Sequence, residues 1–130
     1  MGGRQVDEEL KTSIAQWLEG RVDAYGFTPV ERFREAPEAH HPSRVCKDAA
    51  TVIVYGKTVS RAVLTSPGYG LHLLQRSYHT LYPYLDQVGL ELANALDGRG
   101  HMAVQVPSYA TVIFHGLEPW GMNTDCRTLK

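Results

Sequence analysis

The hydrophobic residues between Leu73 and Gly100 recur at steps that alternate between three and four positions. That spacing places them on one stripe of an α-helix, while the polar residues between them fall on the other faces. The stripe consists of Leu74, Tyr78, Leu81, Leu85, Val88, Leu92 and Leu96. We expect this stripe to pack in the core against the two β-branched runs on either side of the helix. Gly98 and Gly100 are expected to end the helix.

Pro83 interrupts this pattern, because proline has no N–H to donate and its ring collides with the carbonyl four residues earlier. Two arrangements fit the sequence. The helix either continues with a kink, or begins afresh with Thr80 as N-cap and Pro83 in its first turn. Leu74 and Tyr78 already lie on the stripe, which favours the continuous, kinked helix.

The N-terminal third predicts three further elements. A first helix is expected over Asp7–Gly20, because Leu10, Ile14, Trp17 and Leu18 share one face. The apolar stretch Val22–Phe27 predicts a short strand. Thr28-Pro29 is expected to start a short helix as its N-cap and first residue. The proline-containing residues 36–46 predict a loop.

Three β-branched runs predict the remaining strands. Thr51–Tyr55 is the clearest, and its continuous apolar character predicts a strand that is buried on both faces. Met102–Val106 predicts the next strand, and Thr111–Phe114 a further short one. Strands separated by helices favour an α/β fold, with α+β as the alternative, built on a mixed sheet with flanking helices. A parallel relation between the strands that flank the long helix would need a right-handed crossover.

Length and composition limit the class of protein. The chain has 130 residues, of which 43% are hydrophobic, so residues 1–130 are expected to form a single domain, with 108–130 as a tail or exchanged arm. A formal net charge of −1 provides no basic field for nucleic acid. No apolar run is long enough to span a membrane, and the N-terminus lacks an apolar signal core, so we expect a cytoplasmic protein. Cys46 and Cys126 are then expected to be free thiols.

Few residues suggest chemistry by themselves. His40, His41 and Cys46 are potential metal ligands, but adjacent histidines point in different directions, so a solvated loop is favoured. The turn from Ser66 to Gly70 either presents N–H groups to an anion or is a plain turn, which is the favoured interpretation. Cys126 would be reactive only if a neighbouring cation or a helix N-terminus lowered its pKa. No catalytic residue and no metal site are predicted on these grounds.

Four segments resemble the N-terminal part of the epoxyqueuosine reductase family, the cobalamin and iron–sulfur enzymes related to reductive dehalogenases. They are AYGFTPVERF at Ala24–Phe33, the run Pro42–Gly56, the long segment Ser77–Ser108, and FHGLEPWG at Phe114–Gly121, in the family's order and with similar gaps. The resemblance implies part of a nitroreductase-like domain, in which cobalamin (or a flavin) lies against the sheet. Tyr78-His79 matches the family's Tyr-His pair. The cofactor-binding residues that it implies are Gly68, Tyr69, Gly70, Tyr78 and His79.

The sequence departs from that family in two respects. The family's acidic catalytic residue has no counterpart here, and each iron–sulfur cluster needs four thiolates where this chain has two cysteines in all. We therefore expect a chain that is not a competent reductase alone and carries no clusters. A separate iron–sulfur protein would deliver its electrons.

The alternative is a non-enzymatic interaction module, or a truncated remnant of the family, that binds no cofactor and forms a homodimer. A partial domain leaves strand edges and an apolar face exposed. A second copy related by a two-fold axis would cover them.

Overall fold

The computed structural model describes residues 8–108, which form three α-helices and one two-stranded sheet. In chain order these are α1 (Glu8–Glu19), β1 (Ala24–Pro29), β2 (Thr51–Gly56), α2 (Arg61–Leu64) and α3 (Gly70–Asp97). The predicted combination of helices with a sheet is confirmed. Across residues 8–108, no helix combines the length and apolar composition needed to cross a lipid bilayer. The predicted strand Thr111–Phe114, Cys126 and almost all of the predicted tail lie outside the described residues.

The core forms where α1 meets the C-terminal half of α3. Buried residues from both helices, together with Val22 three residues after α1, make one cluster of Leu10, Ile14, Leu18, Val22, Val88, Leu92 and Leu96. Each side chain of this size gains about 1.5–3 kcal/mol on transfer from water to such an interior. Phe27, Ile53 and Tyr55 of the sheet pack against the cluster from the side. The apolar spacing of both helices therefore correctly predicts which residues are buried where α1 meets the C-terminal half of α3.

The long helix is continuous over 28 residues and contains Pro83 in its interior. Of the two arrangements that the sequence leaves open, the uninterrupted helix is confirmed. Beyond Gly98, the chain turns with Gly100 at a φ of +90°, a left-handed conformation that glycine adopts without steric cost. The His101 amide donates to the Leu96 carbonyl over 2.9 Å, which closes the end of the helix.

The sheet differs from the predicted one. β1 and β2 pair antiparallel, with Tyr25 opposite Tyr55 and Phe27 opposite Ile53. No parallel crossover is present within residues 8–108, because the Met102–Val106 segment that would supply its second strand does not pair with β1 or β2. β2 is also not buried on both faces: Val54 is 57% exposed. The β-branched run correctly predicted a strand, but its lack of alternation did not reveal that one face is open.

The predicted Val22–Phe27 strand lies two residues further along the chain, as β1, and Thr28 and Pro29 are its last residues. The short helix predicted to begin there starts one residue later, with Pro29 and not Thr28 at its N-cap position. A short 3₁₀ helix, Val30–Phe33, follows with no side-chain cap. Thr28 pairs with Val52 in the ladder, and the extended backbone that precedes a helix cap is also the backbone of a strand end. Val22 instead joins the core.

Asp23 joins the end of α1 to the loop after β2. Its carboxylate accepts hydrogen bonds from the Thr58 amide at 2.8 Å and the Thr58 hydroxyl at 2.9 Å, and it lies 3.8 Å from the Lys57 ammonium. The hydrogen bond from the Thr58 amide is the main cause of a lowered pKa at Asp23, with the Thr58 hydroxyl and the Lys57 charge acting in the same direction. The carboxylate form therefore favours the folded chain.

We expect Asp23→Asn to reduce the acid sensitivity of the fold. A carboxyl whose pKa is lower in the folded state stabilises that state above its unfolded pKa and loses the contribution as the pH falls through the folded value. Thermal melts at pH 7 and pH 3 should therefore differ less for Asp23→Asn than for the wild type. Asp97→Asn, at the end of α3, serves as the control. An Asp23→Asn protein whose melting temperature falls as steeply with acid as the wild type would contradict this prediction.

Candidate functional site

The glycine turn before α3 sets the position of the helix. Gly68 has a φ of +92°, and Gly70 opens the helix so close to α2 that an added Cβ would lie 3.2 Å from the Val63 carbonyl oxygen. Tyr69 occupies the N-cap position without a capping side-chain hydrogen bond, and its ring is exposed. Glycine is needed at Gly68 for its backbone conformation, and at Gly70 for this close approach.

Tyr78 and His79 lie two helical turns further along. Gly70 and Tyr78 are about 12 Å apart along the axis, at 1.5 Å per residue. The ring of Tyr78 stacks on that of Tyr82, with centroids 5.1 Å apart and an angle of 11° between the planes. His79 is exposed on the neighbouring face of the helix. The structure thus places the five predicted cofactor residues in two successive groups, one at the turn that enters α3 and one two turns further along its N-terminal half.

His41 and Cys46, two of the potential metal ligands in the sequence, make separate local contacts in the structure. His41 Nδ1 lies 2.9 Å from the Ser43 hydroxyl and accepts from the Ser43 amide at 3.2 Å, so the imidazole caps the short 3₁₀ helix Pro42–Arg44. The Cys46 thiol is half-buried and lies 3.9 Å from the Lys47 carbonyl oxygen. In the stretch between Glu8 and Ser108, no three His, Cys, Asp or Glu side chains come together as a metal-binding group.

The apolar stripe of α3 begins earlier than the sequence prediction placed it. Leu71 lies three residues before Leu74, so it continues the alternation of three and four. The residues from Leu71 to Leu92 fit the a and d positions of a heptad repeat, the pattern of helices that pack along a seam. Leu71 was missed because the prediction began the helix at Leu73. The three-residue step from Leu71 to Leu74 is the sequence signal that identifies Leu71 as part of the stripe.

Burial changes along this stripe. Val88, Leu92 and Leu96 are buried, whereas Leu71 is 82% exposed and Tyr78 37% exposed. Leu74 and Leu81 are half-buried. We call Leu71, Leu74, Tyr78 and Leu81 the α3 seam. Residues 8–108 cover this seam less completely than the C-terminal part of the stripe, so the prediction that the whole stripe packs in the core holds only in part for Leu74, Tyr78 and Leu81. The physical reason is that α1 covers only the last turns of α3.

The flanks of the α3 seam are electrically neutral. At the e and g positions beside it stand Gln75, Ser77, Tyr82 and Tyr84. Arg76 is the only formally charged residue between Leu71 and Leu85, and it falls on the opposite side of the helix. Of these flanking residues, Tyr84 donates its hydroxyl hydrogen to the Arg21 carbonyl at 2.6 Å, which ties α3 to the end of α1.

An extended segment, residues 101–108, returns along α3 from its C-terminal end. The Asp86 carboxylate holds it by accepting from Gln105 Nε2 at 3.2 Å, the Ser108 amide at 2.8 Å and the Ser108 hydroxyl at 2.7 Å. Ala103 packs against the core, whereas the alternate residues Met102, Val104 and Val106 are exposed. The predicted strand at Met102–Val106 therefore has a strand's alternation of sides but lies against a helix.

No protein-family model, curated protein or solved structure matches this chain.

Proposed function

We propose that this chain is an interaction module that forms a homodimer through the α3 seam. The observation that carries the proposal is the change in burial along one continuous stripe, from the buried Leu92 to the highly exposed Leu71. A helix with an apolar stripe is stable when another element covers that stripe. Exposed apolar side chains grouped along one face of a helix are characteristic of protein–protein contacts.

The neutral flanks favour a second copy over a charged partner. A two-fold axis brings each flanking side chain near its own counterpart or near another flank of the same sequence. Charged flanks would then place like charges together, which opposes association. Gln75, Ser77, Tyr82 and Tyr84 carry no formal charge, so this surface can approach its own copy without repulsion.

The test is the mass of the full chain in solution, measured by light scattering and sedimentation. We expect twice the chain mass of 14.5 kDa. Leu71→Glu should convert the dimer to the monomer, because two-fold symmetry places two buried carboxylates in one interface. Leu90→Glu is the matched control, since Leu90 is also exposed on α3 but lies off the seam.

Two outcomes would overturn this proposal. One is a wild-type chain that remains monomeric at concentrations of tens of micromolar, including the case in which residues 109–130 of the same chain cover the seam. The other is a dimer that Leu71→Glu and Leu90→Glu weaken equally.

A second candidate function is contact with a corrinoid or a flavin at the same half of α3. The stacked rings of Tyr78 and Tyr82 favour it, because they form a flat aromatic surface against which a planar ring system can pack. Gly68 lacks a side chain and has nothing within 4 Å of an added Cβ, so backbone there is open to a ligand. The bound group would supply redox chemistry, and a separate iron–sulfur protein would supply the electrons.

Anaerobic titration with cobalamin, and separately with a flavin, tests this candidate through the absorption bands of the added group. We expect a saturable spectral change with about one group per chain or per dimer, and a weaker one in Tyr78→Ala. A spectrum that remains the sum of its components would remove the cofactor role while leaving the dimer proposal intact.

A further inference from the structure

We infer that the two copies pair with their α3 helices antiparallel, so that Leu71 lies opposite the partner's Leu81 and Leu74 opposite the partner's Tyr78. This inference rests on the proposed homodimer and specifies its geometry. The two-fold axis then crosses the helix pair at the level of residue 76. The inference follows from two independent features of α3, its spacing and its surroundings.

The first feature is the symmetry of the spacing. The seam residues follow one another at steps of three, four and three, which reads the same in both directions. Reversing the helix about its midpoint therefore superimposes each seam position on another seam position. An antiparallel isologous contact requires this property, since residue i must meet residue j while j meets i. Every apolar residue of the seam then has an apolar counterpart.

The second feature is the position along α3 at which other elements of the same chain begin to cover the stripe. We call these elements the body of the protomer. From Leu85 onward, the stripe is occupied by its own domain: Tyr55 donates its hydroxyl hydrogen to the Leu85 carbonyl at 3.2 Å, and α1 covers Val88, Leu92 and Leu96. In a parallel pair these two bodies would lie at the same level, both between the helices. They would collide before the seams could meet.

The antiparallel pair avoids that collision. With residue 76 as the midpoint, the position opposite Leu85 is residue 67 of the second copy, three residues before its α3 begins at Gly70. Each helix therefore ends where the body of its partner starts. The seam extends over about 15 Å along the axis, which is the length of the less buried, N-terminal part of the stripe.

Cross-linking distinguishes the two orientations. In a full-length background in which Cys46 and Cys126 are replaced by serine, one batch carries Leu71→Cys and a second, of different mass, carries Leu81→Cys. The cross-linker is a short thiol-reactive reagent that spans the roughly 8–10 Å between packed helix axes. We expect at least tenfold more linked product in the mixture of the two batches than in either batch alone. In the antiparallel pair, identical positions are separated by about 15 Å along the axis.

The possible results test the antiparallel register and the homodimer separately. Self-linking of Leu71→Cys alone, at the level of the mixture, would show a parallel pair and overturn the inference. A dimeric mass with no linked product in any sample would overturn the register while leaving the homodimer in place. A monomeric wild type would overturn both.

A second measurement uses one seam substitution, at the most exposed seam residue, in the same background with Cys46 and Cys126 replaced by serine. A spin label on Leu71→Cys should report two labels separated by at least the axial offset of about 15 Å. Labels in direct contact, with strong exchange broadening, would contradict the antiparallel arrangement. Leu71 makes little contact with its own domain, so this variant is expected to fold as the wild type does.

Discussion

Leu18→Ala should lower the free energy of unfolding by about 2–5 kcal/mol, the range observed when a buried leucine is truncated in a packed core. Leu18 is the only described residue whose large side chain is fully buried, with 0% exposure. It lies at the end of α1, where its carbonyl also accepts from the Arg21 and Val22 amides at 2.9 and 3.0 Å. The substitution therefore leaves a cavity at the point where α1, the following turn and α3 converge. Urea unfolding followed by circular dichroism measures the loss.

Leu90→Ala provides the control for that experiment. Leu90 occupies a helix and is 52% exposed, so the same chemical change there removes little buried surface. Surface substitutions away from special features usually change stability by less than about 0.5 kcal/mol. If Leu18→Ala and Leu90→Ala cost the same, α1 does not pack on α3 in solution. The difference in burial between the α3 seam and the C-terminal part of the stripe would then no longer be explained by α1.

The two amphipathic helices were predictable because periodicity and burial agree along them. Leu10, Ile14 and Leu18 share one face of α1, and all three are in the core. The last turns of α3 behave in the same way. Spacing indicates that a stripe must be covered, but it does not indicate by what. The sequence alone could therefore not reveal that α1 covers Val88 and Leu92 while Leu71 remains exposed.

The strands were less predictable, because pairing depends on partners far away in the chain. Thr51–Tyr55 and Met102–Val106 are both rich in β-branched residues, yet only the first pairs in a sheet. The Met102–Val106 segment is held by the Asp86 carboxylate, which lies about 20 residues earlier in the chain. No local sequence pattern predicts a contact of that kind. Burial of a strand's two faces is likewise a property of the neighbours, so Val54 was wrongly predicted to be buried.

Of the candidate site, the sequence supplied the residues but not their arrangement. Gly68 and Gly70 have the conformational and packing roles that glycine permits, and a turn-rich stretch before a helix is a signal for both. The exposure of Tyr78 and its stacking on Tyr82 required the structure. The cobalamin and flavin titrations test whether these residues bind a cofactor. The solution mass of the chain tests whether they contact a second copy.

Gly89→Ala should destabilise the fold by about 1–3 kcal/mol, although alanine is the better helix former by as much as about 1 kcal/mol. Gly89 is buried in α3 at its closest approach to the sheet and to the extended segment. A Cβ there would collide with the Tyr55 hydroxyl and with Gln105 Cγ, closer than real Cβ contacts occur. Neither neighbour moves freely, because Tyr55 is hydrogen-bonded to the Leu85 carbonyl and Gln105 to Asp86. Urea unfolding of the variant gives the net cost.

Gly98→Ala is the matched control for Gly89→Ala, since Gly98 lies just after the same helix with a φ of −64° and an added Cβ would be 3.5 Å from the nearest atom. It should be neutral or slightly stabilising, because it restricts the unfolded chain without a collision.

Tyr55→Phe identifies the colliding atom. Burial raises the pKa of the Tyr55 hydroxyl, and the Asp86 charge raises it further, so near pH 7 the hydroxyl is protonated and donates to Leu85. Removing it should cost about 1 kcal/mol alone but relieve part of the Gly89→Ala penalty, so the double variant should be less destabilised than the sum of the two. Strict additivity would assign the Gly89→Ala penalty to Gln105 Cγ rather than to the Tyr55 hydroxyl. The extended segment, and not β2, would then limit the space at Gly89.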